Sequence, residues 1–149
     1  MTLRYLFPHQ AEVAYNFVVN KLITNPKTLG DKIRNKRLEL GLSQSQVAKI
    51  FNTDPDLIYM WEKNIIKPSI KRFPEVITFL GYFPFEIDES SLGGKIKLYR
   101  YMYGLSQEAM AEFLNLNEST IRDYERGIRK PLERLKVKIQ NKLKIITFF

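Results

Sequence analysis

GLSQSQVAKIFNTDPDLIYMWE runs from Gly41 to Glu62, and GLSQEAMAEFLNLNESTIRDYE runs from Gly104 to Glu125. The two stretches align without a gap at an offset of 63 residues. Extended outward, residues 28–68 and 91–131 share 16 identities in 41 positions, from Leu29/Leu92 and Gly30/Gly93 to Lys67/Lys130 and Pro68/Pro131. Duplication explains that register. The period is longer than the roughly 20–50 residues of solenoid repeats, and there are two copies, so each copy reads as a small module.

Each copy reads as short helices. LGDKIRNKRLEL places Leu29, Ile33 and Leu40 on one side of a helix with a basic outer face. Gly41 follows, and glycine accepts the left-handed conformation that closes a helix. Ser43 then caps the next helix, and Gln46 completes a capping box. The second copy keeps Gly104 and the Ser106 cap but has Ala109 at the box position. Asn52 and Asn115 suit a tight turn. Asp54 is a good cap for a third helix and Pro55 a good first residue; Asn117 and Glu118 stand there in the second copy. Two short helices joined by a short turn, with a small Ala48 or Ala111 at the approach, have helix-turn-helix geometry.

The pattern GLSQ-x-x-[VM]-A-x-x-[FL]-N, then I-x-x-[WY]-E, then K-P, resembles the Cro/C1-type (XRE-like) helix-turn-helix domain of phage repressors and bacterial regulators. The likeness covers about 28–82 and 91–140. It implies an all-α fold of two tandem lambda-repressor-like domains, about five helices each, whose third helix lies in the DNA major groove. The expected layout is a helical arm at 1–27, a first domain at 28–84, an acidic linker at 85–90 and a second domain at 91–149 with a long basic last helix. The resemblance also implies that Arg37 pairs with Glu62 and Arg100 with Glu125. A bidentate arginine–carboxylate pair there is structural. Trp61 and Tyr124 fall at an anchor position and read as core.

Composition agrees with this class. Lys and Arg number 24 against 16 Asp and Glu, a net charge of +8 that favours polyanions. There is no cysteine and one histidine, His9, so no disulfide, thiolate or histidine-rich metal site is expected. No glycine-rich phosphate loop and no nucleophile near a histidine suggests an enzyme, and no cofactor is called for. No apolar run is long enough to span a membrane, and the start lacks signal-peptide features; a cytoplasmic protein is expected.

The DNA-facing residues differ between copies. Gln44 and Gln107 fall at a helix start where the resemblance implies a phosphate contact. In the second copy the outward positions are Glu118, Ser119, Thr120, Arg122 and Asp123, with Arg126, Arg129 and Lys130 just beyond. Such side chains bond base edges and phosphates. The first copy has Pro55, Asp56, Leu57, Tyr59 and Met60 there, with Lys63 and Lys67 as a basic rim. Asp56 is a candidate cytosine reader, but Asp54 and Asp56 repel phosphate. The second copy is therefore the expected main reader. The expected function is sequence-specific binding of double-stranded DNA as a transcriptional repressor, alone or as a homodimer. The alternative is a protein-interaction module, an antitoxin or adaptor, in which one or both units bind a protein partner.

The flanks carry less. SIKRFPEVITFLGYFPF suggests a fourth and fifth helix broken at Pro74 and ended at Gly81. The tail aligns Leu132, Leu135, Ile139, Leu143 and Ile146 on one face of a basic helix. Residues 8–24 suggest a helix ended by Pro26, serving as a cover or a dimer contact.

Overall fold

Three residues in each repeat turn the backbone into the left-handed region, and their register sets the path of the chain. Gly41 and Gly104 both have φ of 67°, Asn52 and Asn115 have 46° and 57°, and Asn64 and Gly127 have 58° and 69°. These are the corners at which a right-handed helix stops. The computed structural model describes residues 21–144. Among the described residues there are eight α-helices, one 3₁₀ turn and no strand. They are α1 (Leu29–Glu39), α2 (Gln44–Ile50), α3 (Pro55–Glu62), the 3₁₀ turn (Ile70–Arg72), α4 (Phe73–Leu80), α5 (Leu92–Tyr103), α6 (Gln107–Leu114), α7 (Glu118–Glu125) and α8 (Glu133–Lys144). None of these helices is long and apolar enough to cross a membrane. The chain divides into two compact units. One holds the chain up to Lys67 with Phe79–Pro84, the other Pro68–Thr78 with the chain from Phe85 onward.

In the first unit, α1 starts in a reciprocal cap. The Thr28 hydroxyl accepts from the Asp31 N–H at 3.0 Å, and the Asp31 carboxylate accepts from the Thr28 N–H at 3.1 Å. Ser43 and Gln46 make the same box at α2, as their spacing predicts. Ile33, Val47, Ala48, Phe51, Ile58 and Trp61 form the core. The Phe51 ring meets Trp61 edge-on at 5.6 Å and Phe79 at 5.3 Å. Leu40, expected inside, is 51% exposed. It lies past the last residue of α1, as the C-cap, where the helical phase no longer points it inward. Asp54 stands at the N-cap of α3 without a side-chain cap bond; the Leu57 N–H goes instead to the Asp54 backbone carbonyl at 3.1 Å. Asn117 likewise lacks a side-chain cap bond, and the Thr120 N–H bonds its carbonyl at 3.0 Å.

The described end of the arm, residues 21–28, is turn and irregular chain, not the helix expected through residue 24. The buried Asn35 amide donates to the Ile23 carbonyl at 2.8 Å and accepts from the Ile23 N–H at 2.9 Å. Those are the two groups a helix would use in its own ladder. His9 and the rest of the arm lie outside the described residues.

In the second unit, Ser91 caps α5 and Ser106 caps α6. Leu92, Ile96, Tyr99, Met110, Ala111, Leu114, Ile121 and Tyr124 form one apolar cluster. Ile139 and Leu143 of α8 complete it, with Leu135 packed at its edge. Leu132 precedes α8 and is 81% exposed, so it does not extend that face; Ile146 lies outside the described residues. Pro74 does not break a helix: it lies in the first turn of α4, where the missing N–H costs no bond. The rings of Phe73, Phe85 and Tyr101 meet at 4.6, 5.0 and 4.8 Å.

One repeated glycine acts through contact distance. A Cβ on Gly30 would lie 1.9 Å from the Trp61 carbonyl oxygen, and one on Gly93 would lie 1.9 Å from the Tyr124 carbonyl oxygen. The first helix of each repeat therefore crosses the end of the third at backbone contact. Gly93→Ala is expected to lower stability by about 3 kcal/mol, because a helix backbone must move. Gly127→Ala meets nothing within 4 Å and should cost about 1 kcal/mol for its left-handed φ alone. Urea unfolding of both variants checks the order; equal losses would contradict it.

Slight burial works to raise the Asp31 pKa, but bonds from Thr28 and Asn64 outweigh it and hold it below 3.8. A depressed carboxylate stabilises the fold above its unfolded pKa and loses that contribution as pH falls through the folded value. Thermal melts of Asp31→Asn should therefore approach wild type only at pH below 3.8.

Candidate nucleic-acid interface

In each repeat one buried carboxylate at the end of the third helix collects bonds from the other two. Arg37 Nε and Nη2 donate to the two oxygens of Glu62 at 2.6 and 2.9 Å, and Nη1 donates to the Leu42 carbonyl at 3.0 Å. Gln44 Nε2 donates to Glu62 Oε2 at 2.9 Å. The second repeat repeats the set. Arg100 reaches Glu125 at 2.8 and 3.0 Å and the Leu105 carbonyl at 3.1 Å, and Gln107 reaches Glu125 at 2.9 Å. The carboxylates keep 3% and 6% of their side-chain surface exposed. Three donors from the first and second helices thus fix where the third helix ends, and the fourth N–H of the set ties the arginine to the turn. Both arginine–glutamate pairs implied by the resemblance are present, as the structural pairs expected. The resemblance implies a phosphate contact for both glutamines; the structure shows each bonded to the carboxylate of its own repeat. Each amide nitrogen carries a second hydrogen that makes no bond among the described residues.

The bracket leaves one face of α7 outward. Ile121 and Tyr124 are anchored in the core at 0% and 6% exposure. Glu118 and Ser119 are exposed, and Thr120, Arg122 and Asp123 half-buried at the surface. Arg122 Nη2 donates to Glu118 Oε1 at 3.2 Å, one turn apart on that face. Arg126, Arg129 and Lys130 follow in the exposed segment after the helix. The Ile128 N–H bonds the Asp123 carbonyl at 3.0 Å, so the chain folds back directly after Gly127.

The matching face of α3 is different. Asp54, Pro55 and Asp56 are exposed at its start, and neither carboxylate has a hydrogen-bond or ion-pair partner among the described residues. Tyr59 is 45% exposed, with the Lys63 ammonium 5.9 Å from its ring centre. Lys63 and Lys67 are exposed. Elsewhere, an open apolar groove between α5 and α8 holds Leu98, Tyr99, Met102 and Leu143 with Lys95 at its lip. Burial and the neighbouring Tyr103 push the Tyr99 phenol pKa up. No sequence motif marks this groove.

The Helix-turn-helix family matches residues 33–86 and again residues 96–145, more than half of the chain. A protein of Aeropyrum pernix named "Putative HTH-type transcriptional regulatory protein" is 35% identical over 51 residues. That stretch is 34% of this chain and 16% of that protein, so the likeness spans a small part of its length. No solved structure matches.

Removing one member of the bracket should be far worse than removing the pair. Arg100→Ala leaves the Glu125 carboxylate buried without its cation and is expected to cost about 3–5 kcal/mol. Arg100→Met combined with Glu125→Leu should cost less than either single change. A double-mutant cycle in urea measures this; additive losses would count against a coupled unit.

Proposed function

The chain belongs to the helix-turn-helix family of the Cro/C1 type, and from that premise we propose that it is a double-stranded DNA-binding transcriptional regulator, read out mainly through α7. The observation that carries this is the outward face of α7. Two apolar anchors and a buried bracket hold the helix, while its outer turn offers hydroxyls, a guanidinium and two carboxylates. Base edges are read by side chains at the start of such a helix, and the preceding helix start contacts the backbone. In this reading Ser119, Thr120, Arg122 and Asp123 face base edges, and Gln107 donates its second amide hydrogen to a phosphate. Arg126, Arg129 and Lys130 hold the backbone beyond the helix. Glu118 lies on the same face. Repression is the proposed mode, because occupying a site needs no feature beyond the binding face.

A weaker role for the first repeat follows from the same reasoning. Asp56 and Tyr59 stand where α7 carries Ser119 and Arg122, and two unpartnered carboxylates open the helix. Gln44, Lys63 and Lys67 retain backbone contacts at most. The exposed Tyr59 beside these carboxylates favours a second reading for this repeat alone, a face for a protein partner.

Titration of labelled DNA, chosen by selection from a random pool, tests the proposal. Specific binding is expected in the nanomolar range. Affinity should fall about 10³-fold between 50 and 200 mM salt for roughly six phosphate contacts. Arg126→Ala and Arg129→Ala should each weaken all sequences alike and lower the salt slope by about one. Absent or salt-independent binding would refute it.

A further inference from the structure

The Glu118–Arg122 pair is the feature of α7 that a backbone-binding role does not use. A carboxylate on a DNA-facing helix repels phosphate, and this one also occupies the guanidinium one turn away at 3.2 Å. Both side chains are 41–48% exposed, so neither is needed to fill the core. The first repeat has Pro55 and Tyr59 at these positions, so the pair is no requirement of the scaffold. Resting on the reading of α7 as the DNA-facing helix, we infer that Glu118 is a specificity-determining residue that admits a G·C pair and rejects other sequence.

The chemistry is a matter of donor order. In the major groove a G·C pair presents guanine N7, guanine O6 and cytosine N4 in a row: two acceptors, then a donor. A guanidinium donates to the first two, and a neighbouring carboxylate accepts from the third. An A·T pair presents an acceptor, a donor and an acceptor, so it takes one fewer bond from the same two side chains. On a pair whose amino group stands elsewhere in the row, the carboxylate cannot accept while the guanidinium makes both of its bonds, and it still faces phosphate. Glu118 therefore weakens wrong complexes more than it strengthens the right one, which is how discrimination by repulsion works.

The test compares wild type with Glu118→Gln, both as the full chain, by pool selection and by titration against selected and scrambled duplexes. Wild type is expected to fix a G·C pair at one position of its site, disfavouring A·T there by about tenfold. Glu118→Gln should lose most of that preference and bind the scrambled duplex several-fold more tightly, with an unchanged thermal melt. Wild-type binding with the same preference and the same scrambled-duplex affinity in Glu118→Gln overturns the inference and leaves the DNA-binding reading standing. So does a variant that only melts earlier or weakens every duplex equally, because that marks a helix-stabilising carboxylate. A wild type that binds no duplex overturns both.

Discussion

A buried carboxylate at the end of the third helix is the constraint on which each repeat depends. Glu62 and Glu125 are taken out of water, and a lone buried charge is expensive. One guanidinium meets both oxygens of each, and the planar fork allows that in one orientation only. The first helix must therefore approach the end of the third at a fixed angle and distance. Gly30 and Gly93 make the approach physically open, since any side chain there would overlap a carbonyl. The glutamine at the second helix start ties the remaining element to the same carboxylate. Three helices are thus located by one acid, one base, one amide and one missing Cβ.

A scaffold fixed this way is indifferent to what its outer face carries. Ile58 and Ile121 are fully buried in their units, and Trp61 and Tyr124 nearly so. Between these anchors the outward positions have no structural duty. The two repeats show the result, with Pro55, Asp56 and Tyr59 on one face and Glu118, Ser119 and Arg122 on the other. Identity between the copies collects at corners, caps and bracket, while the differences collect where a ligand would be met. Function has to be argued from those differences.

What was legible in the sequence was local. Gly41, Gly104, Asn52 and Asn115 declare their corners because few residues tolerate a left-handed φ, and Ser43 with Gln46 declares its cap by spacing. Asn64 and Gly127 carry the same signal less plainly, because they are not identical although both suit that conformation. The identity of Gly30 with Gly93 was plain, but its reason was not. The clash it avoids is with a carbonyl on another helix, and only packing brings the two together. Leu40 and Leu132 misled for one reason: both continue an apolar spacing beyond the end of the helix that gives spacing its meaning. Asp54 stands at the cap position that its spacing marks, but its carboxylate makes no cap bond there. For the candidate interface, the outward residues of α7 could be named from helical phase. The Glu118–Arg122 bond could not, because that spacing permits an ion pair without requiring one.

Net charge does not separate the two repeats, since residues 28–68 and 91–131 each carry seven basic and five acidic residues. Position does. At physiological salt a charge is screened over about 8 Å, roughly the rise of five helical residues. In the proposed reading, a carboxylate in the first turn of the third helix is therefore felt at the groove. The first repeat sets Asp54 at the cap and Asp56 in that turn, with no cation bonded to either among the described residues. The second sets Glu118 there with Arg122 against it, then Arg126, Arg129 and Lys130 in the segment that follows. Equal totals are thus distributed differently along the two third helices, with two cations, Lys63 and Lys67, behind α3 and three behind α7.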